Sequence, residues 1–353
     1  MLHTLVVGLG RSGRGLHLPA LTRARALAGR QRLFSPGPVL TYDIRALRGE
    51  TPLPGTRPVT ALPEAAALVD PARTVVHLCT PPGVRSRLLA DLAALGYRRV
   101  LVEKPLAPDE PELAAVLEAR RRHGLDLVVV AQWLTSALSY RLLAAAREGA
   151  FGELRAISVL QSKPRFVRSL TSRAHPTVFD VELPHSVGVA LALAGPARVR
   201  AAACTDMALG NVEVPRLGQA RLVLDHDSGT RTEIFSDLMS PTRERRIRLE
   251  FATATLVGHY PCSEDDDTAQ LRTTNETGSA HLVFHDDALA DFMLRAYEHF
   301  SGRRPVADLF DIQVRTVRLL AEAKRVCAAP ADIGATAGVG TAPARPEAVS
   351  PRG

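Results

Sequence analysis

The sequence predicts an α/β protein in two parts. The first is a parallel, doubly wound sheet, and the second an α+β unit with a large, mostly antiparallel open sheet. Three observations carry this reading. Short apolar runs alternate with helical periodicity over residues 1–132, as strands covered by helices on both faces do. The first run leads straight into Gly8-Leu9-Gly10-Arg11-Ser12-Gly13. After Trp133 the texture changes to longer strand-like stretches punctuated by turns.

In order, residues 2–8 form an apolar strand, 17–28 a helix and 39–42 a second strand that ends at Asp43. Residues 29–38 read as an insertion that lengthens the loop between them. Residues 64–69 form a short helix, and 74–78 a third strand stopped by Thr80-Pro81-Pro82-Gly83. An amphipathic helix at 85–95 has Gly96 just past its end, a C-cap signal. A fourth strand at 100–102, a helix at 110–123 and a fifth strand at 125–131 complete the first unit. Gln132 and Trp133 end that last strand.

The second unit opens with a helix at 139–148, ended by Gly149. Strand-like stretches follow at 154–161, 199–205, 219–225, 230–236, 246–252 and 280–284. Asp225-His226-Asp227-Ser228-Gly229 is a turn between two of them. Helices near 287–300 and 308–326 close the fold, the last expected to pack back on the first unit. The expected division is a dinucleotide-binding domain at 1–132, a substrate and oligomerisation domain at 133–329, and a disordered Ala, Gly and Pro tail at 330–353.

Bulk properties narrow the function. The 353 residues have the apolar and charged content of a globular protein. No apolar run approaches the roughly 18–20 residues of a membrane span. Met1-Leu2-His3-Thr4 enters a strand at once, so no signal peptide is expected. Cys79, Cys204, Cys262 and Cys327 form no CxxC, which fits a cytoplasmic protein without a zinc site. The net charge is +7, but only Lys104, Lys163 and Lys324 are lysines. That arginine skew, with abundant Ala, Gly and Pro, matches GC-rich coding and suggests a setting in specialised metabolism. Short clusters such as Arg120-Arg121-Arg122 read as solvated faces rather than a nucleic-acid surface.

The glycine pattern has a physical reading. Gly8 permits a tight turn, Gly10 lets a pyrophosphate approach the backbone, and Gly13 lets helix pack on strand. The helix start, with Arg11 and Ser12, presents amides to the phosphates. An acidic residue about 20 residues on would bond the ribose hydroxyl. Asp43 fills that role beyond a lengthened loop and favours NAD(H), while Arg45 is placed to pair with the extra phosphate of NADP(H). Thr80-Pro81-Pro82 stiffens a loop that passes the cofactor. Glu103-Lys104-Pro105 puts charges at the end of a buried strand, which is costly unless they are used. An amine beside an oxidised nicotinamide loses basicity and can exchange a proton with a substrate hydroxyl or carbonyl. A cis Lys104–Pro105 bond would turn the lysine into the cleft.

These pieces resemble the glucose–fructose oxidoreductase / inositol dehydrogenase / MocA (Gfo/Idh/MocA) family. The matching residues are the glycine turn, His17-Leu18-Pro19-Ala20-Leu21, Thr80-Pro81-Pro82, Glu103-Lys104-Pro105 and Glu148-Gly149-Ala150-Phe151-Gly152-Glu153-Leu154. The resemblance implies a Rossmann domain and a second domain whose open sheet often forms a dimer or tetramer interface. It also implies an active-site lysine in the E-K-P motif and a histidine from the second domain. Family members place an Asp four residues before that histidine in a Gly-rich segment. Here His185, ahead of a helix-like stretch at 187–193, has Asp180 five residues before it and Glu182 three, without the glycines. Either carboxylate could orient it. Lys163, Arg165, Arg168, Arg173 and His175 lead up to His185 and suggest a loop over the substrate, one bearing a carboxylate or phosphate. Gln132 and Trp133 are further contacts to nicotinamide or substrate.

The leading expectation is an NAD(P)-dependent oxidoreductase that moves hydride at a carbinol or carbonyl carbon of a sugar, cyclitol or related polyol. No metal is expected. Imine or enone reduction is the alternative within the enzyme class. A non-catalytic dinucleotide-binding sensor is the alternative outside it, and it would need neither Lys104 nor His185.

Overall fold

The computed structural model describes residues 1–26, 32–45, 53–171, 175–263, 266–303 and 309–328. In the first part of the chain, β1 (His3–Val7) leads through a π-helical turn to α1 (Leu18–Ala26). β2 (Val39–Tyr42), β3 (Thr56–Pro58) and α2 (Leu62–Leu68) follow. Then come β4 (Thr74–Leu78), α3 (Arg85–Ala94), β5 (Arg99–Val102), α4 (Glu110–His123) and β6 (Asp126–Val129). The six strands lie in the order β3-β2-β1-β4-β5-β6, with every pairing parallel.

Continuous apolar strands are what make this sheet two-faced. Leu5 and Val7 point into one core with Leu89, Leu92, Leu113 and Val116 of α3 and α4. Val6 between them points into the other with Leu21 of α1. Strand order reverses between β1 and β4, and a crevice opens outside the carboxyl ends at such a point. The chain segments that follow β1, β4, β5 and β6 therefore share one rim: the glycine turn, Thr80-Pro81-Pro82, Glu103-Lys104 and Gln132-Trp133.

The remaining elements are α5 (Ala137–Glu148), β7 (Leu154–Ser162), α6 (Phe166–Thr171), α7 (Leu183–Ala194) and β8 (Ala197–Cys204). A small hairpin of β9 (Met207–Leu209) and β10 (Val212–Val214) precedes β11 (Gln219–His226), β12 (Arg231–Asp237) and β13 (Glu244–Phe251). β14 (Ala254–His259), β15 (Thr268–Asn275), β16 (Gly278–His285), α8 (Ala288–Phe300) and α9 (Leu309–Ala328) complete the described chain. Eight strands form one sheet in the order β16-β15-β14-β13-β7-β12-β11-β8, antiparallel except where β12 runs parallel to β7.

Several expectations shift. β3, β14 and β15 were not anticipated, nor were α6 and the β9–β10 hairpin. Gln132 and Trp133 lie in a 3-10 turn beyond β6, not in the strand. α7 begins at Leu183, so His185 sits inside its first turn rather than ahead of it. Pro184 explains this, because proline suits the first turn of a helix, where its missing N–H has no partner to lose.

Both last helices return to the first sheet. Tyr297 of α8 bonds Thr4 of β1 through their hydroxyls at 2.5 Å, and Val314 and Val317 of α9 join the core beneath α3 and α4. Parts of the expected 29–38 insertion and the whole 330–353 tail lie outside the described residues.

Candidate active site

The glycine turn has the strict geometry its spacing demands. Gly8 has φ +95°, a left-handed conformation that favours glycine. A Cβ on Gly13 would lie 2.0 Å from Gly8 O, so only glycine fits there. A Cβ on Gly10 would meet nothing within 4 Å, because Gly10 faces open space. That space is a cleft of about 480 Å³ lined by Leu9, Gly10, Arg11, Arg14, Asp43 and Arg45 among others. Ser12 is the N-cap of the turn into α1 and its side chain makes no capping bond. Asp43 Oδ2 accepts from Leu9 N at 2.7 Å and Oδ1 accepts from Arg45 N at 2.9 Å, so the carboxylate braces the turn as well as facing the cleft.

At the adjoining strand ends, Arg85 is buried and holds two loops together. Its guanidinium donates to Thr80 O at 2.9 and 3.2 Å and to Pro105 O. This fixes the Thr80-Pro81-Pro82 loop against the cis Lys104–Pro105 segment. Thr80 Oγ1 and Gln132 Oε1 on the rim are buried and lack partners among the described residues. Buried polar atoms are rarely left so. Together with the open glycine cradle they fit a carboxamide-bearing dinucleotide.

Glu103 and Lys104 point different ways. Glu103 turns inward, where Oε1 accepts from His17 Nε2 at 2.8 Å and Oε2 from Lys104 N at 3.0 Å. His17 Nδ1 meets His77 Nδ1 at 2.9 Å, and His77 Nε2 meets the Tyr297 hydroxyl at 3.1 Å. Burial opposes charge on His17, yet Cys79 and Glu103 outweigh it and raise the ring to about 10. Burial, with the neighbouring His17 charge, pushes His77 far down. A protonated His17 that donates at both nitrogens, to Glu103 and to a neutral His77, satisfies the whole chain. Burial by itself raises the Glu103 carboxyl, but His17, Lys104 and Arg85 hold it at about 2.

Lys104 reaches outward across the crevice. Its Nζ donates to Val181 O at 2.7 Å, in the segment that leads into α7. Burial lowers the ammonium below its ordinary range; Glu182 and Glu103 pull it back, and Arg165 and Arg168 lower it further. His185 is 8% exposed and stacks on Trp133, with ring centroids 5.5 Å apart and planes 18° apart. Trp133 in turn stacks on Tyr260 at 4.1 Å, so the indole is both core and site wall. Burial and then Lys104 push the imidazole down to about 3, against the pull of Glu182.

The two carboxylates near His185 part company. Asp180 closes a capping box with Thr177 and pairs with Lys324 of α9 at 2.9 Å. Glu182 pairs with Lys163 and lies 3.9 Å from Arg245. Among the described residues neither hydrogen-bonds the imidazole. Burial and Lys104 outweigh Glu182 at the ring and favour its neutral form.

Lys104, Lys163, Arg165, His175, Glu182 and His185 thus share one electrostatic neighbourhood, with Trp133 as its wall. Asp180 and the Glu103 carboxylate are engaged elsewhere. Sequence reasoning missed Arg85, His77, Tyr260, Arg245 and Lys324. Only His17 carried a signal, in the His17-Leu18-Pro19 motif.

No family model and no curated protein matches the chain. Solved structures match it closely in fold. One is KijD10, a 3-ketoreductase from Actinomadura kijaniata in complex with NADP and TDP-benzene, at TM-score 0.74 and 14% identity over 92% of this chain and 98% of that one. Another is the UDP-N-acetylglucosamine 3-dehydrogenase GnnA from Acidithiobacillus ferrooxidans, at TM-score 0.69 and 18% identity over 93% and 98%. At such identities the likeness carries the fold.

Proposed function

We propose that this protein is a nicotinamide-dependent oxidoreductase acting at a carbinol or carbonyl carbon of a sugar, cyclitol or related polyol. One observation carries the reading. The Lys104 amine, from the rim of the parallel sheet, reaches the segment one helical turn ahead of His185. It does so within the crevice that the open glycine turn also faces. The two similar structures, a 3-ketoreductase in complex with NADP and TDP-benzene and a UDP-N-acetylglucosamine 3-dehydrogenase, support the substrate class.

Residues 1–132 hold the dinucleotide in this reading, and residues 133–329 supply the substrate side. Gly8, Gly10, Arg11, Ser12 and Gly13 take the diphosphate, and Thr80 with Gln132 takes the carboxamide. Asp43, Arg45 and Arg14 flank the adenosine ribose. Arginines outnumber the one carboxylate along that cleft, which suits NADP(H) at least as well as NAD(H). The bound nicotinamide supplies the hydride donor or acceptor.

The chain's own residues handle the proton. Lys104, made less basic by burial, takes the proton of a carbinol or gives one to a carbonyl, as a general acid–base does best when its pKa lies near the working pH. Neutral His185 lies on the same cleft wall and accepts a hydrogen bond from the substrate hydroxyl. Glu182 is the positioning carboxylate, acting through Lys104 and Lys163. The eight-stranded sheet is the proposed homo-oligomer contact, at its edge strand β16, where Leu282 and Val283 are exposed on opposite faces.

Initial rates with a panel of polyols and keto-sugars, read through nicotinamide absorbance, test the reading. Turnover of a sugar-class substrate that Lys104→Ala nearly abolishes is expected. Cofactor binding without turnover of any member would favour a sensor.

A further inference from the structure

The crevice beside Lys104 holds more positive charge than its carboxylates neutralise. Among the described residues, three buried atoms here have no hydrogen-bond partner, and the first is the Nε of Arg165, which lies between β7 and α6 and is 5% exposed. One helical turn on, Ser169 is buried with an unpartnered Oγ, and its N–H bonds Arg165 O at 2.9 Å. The Nδ1 of His175 is a third buried atom without a partner. Cations crowd these groups. Arg165 is lowered to about 10 by burial, then Arg168 and Arg11, with Glu182 in opposition. His175 is pushed to about 3 by burial and by Lys104, Arg165, Arg168 and Lys163. Glu182 is already engaged by Lys163 and Arg245.

A buried guanidinium nitrogen without a partner is costly, and like charges beside it add to the cost. An arrangement of this kind is completed by an anion that accepts charge-assisted hydrogen bonds. Several cations around one engaged carboxylate call for more than a single negative charge. A phosphoryl group brings close to two at neutral pH.

We infer that Arg165, with Arg168 and Ser169 of α6, binds a phosphoryl group carried by the substrate. The sugar that is oxidised or reduced is then a phosphorylated or nucleotide-linked one rather than a neutral polyol. This rests on the oxidoreductase reading and names its substrate class. The same chemistry could come from the diphosphate of the cofactor, because Arg11 of the glycine turn lies within electrostatic reach of both arginines. Contacts put them at the reacting end of the crevice instead: Arg165 lies two residues past Lys163, which pairs with Glu182, and Glu182 follows the Val181 carbonyl that takes the Lys104 amine.

Inorganic phosphate, titrated calorimetrically into the full chain with and without saturating NADPH, tests the assignment. Phosphate is expected to bind the NADPH-loaded protein. Arg165→Gln and Arg168→Gln should each weaken it by about tenfold or more, a loss typical of a charge-assisted contact. NADPH affinity should stay within a few-fold, which also reports that each variant is folded. Arg168, being half-buried, is the safer substitution, and Arg168→Lys should keep part of the affinity. Phosphate that competes with NADPH, while both variants lose NADPH affinity, would assign the arginines to the cofactor and overturn the proposal. Unchanged phosphate binding in both variants would overturn it too. A protein that binds phosphate through Arg165 but no nicotinamide dinucleotide would keep the anion site and sink the oxidoreductase reading instead.

Discussion

Lys324 Nζ meets Asp180 Oδ1 at 2.9 Å, which ties the last helix to the turn that leads into α7. The carboxylate five residues before His185 is thereby a structural partner. Asp180→Asn should lower stability by about 1–3 kcal/mol, the cost of losing a buried charged hydrogen bond, while turnover stays within a few-fold. Urea melts and initial rates on one preparation check this. A large loss of kcat at unchanged stability would return Asp180 to the catalytic set.

Glu182→Gln should behave the other way. Glu182 raises Lys104 and Lys163 against their burial, so its loss should move to lower pH the alkaline limb of the kcat profile for carbonyl reduction, where the protonated amine is the acid. Thermal stability alone would not report such a shift. A profile that stays in place would show that Glu182 does not act on the amine.

Lys104→Ala should cost about 10²–10⁴ in kcat, the range of general acid–base catalysis, with NADPH affinity within a few-fold. Steady-state rates and fluorescence titration separate the two effects. A variant that keeps most of its kcat would make the lysine structural.

Stability should peak near neutral pH for reasons that lie in three histidines. An unfolded histidine titrates near pH 6.5. His185 and His175 fall to about 3 when folded, so the unfolded chain binds more protons and stability is lost as pH drops below about 6.5. His17 rises to about 10 when folded, so its contribution is complete below about 6.5 and is lost as pH climbs toward 10. His17→Gln should flatten the alkaline side of a stability–pH curve measured by urea melts. A curve with the same alkaline slope would show that His17 is not charged in the fold.

Gly10→Val separates binding from folding. A Cβ there meets nothing within 4 Å, so the melting midpoint should hardly move while dinucleotide binding is lost. Binding that survives the valine would place the cofactor away from the glycine turn.

The sequence made some of this legible and not the rest, for physical reasons. The parallel sheet was readable because strands buried on both faces are continuously apolar, and the glycine turn because only glycine fits at Gly8 and Gly13. β15 escapes the pattern because Thr268, Gln270 and Arg272 on its outer face dilute the alternation, and β14 because Gly258 stands where a buried apolar side chain would. The start of α7 was missed because Pro184 reads as a breaker when it is a first-turn residue. The positions of Lys104 and His185 could be named, but the partners of their carboxylate neighbours could not. His17 and His77 are sixty residues apart and Asp180 and Lys324 one hundred and forty-four, and no local pattern pairs them.

Hydride is proposed to move between nicotinamide and a sugar carbon beside Lys104. Reduced cofactor carrying deuterium on the transferable face, incubated with keto-sugars and analysed by mass spectrometry, tests it most directly. One deuterium atom is expected on the new carbinol carbon with the native protein, and a rate lower by about a hundredfold or more with Lys104→Ala. Cofactor that binds in the glycine turn yet passes no deuterium to any keto-sugar would contradict it.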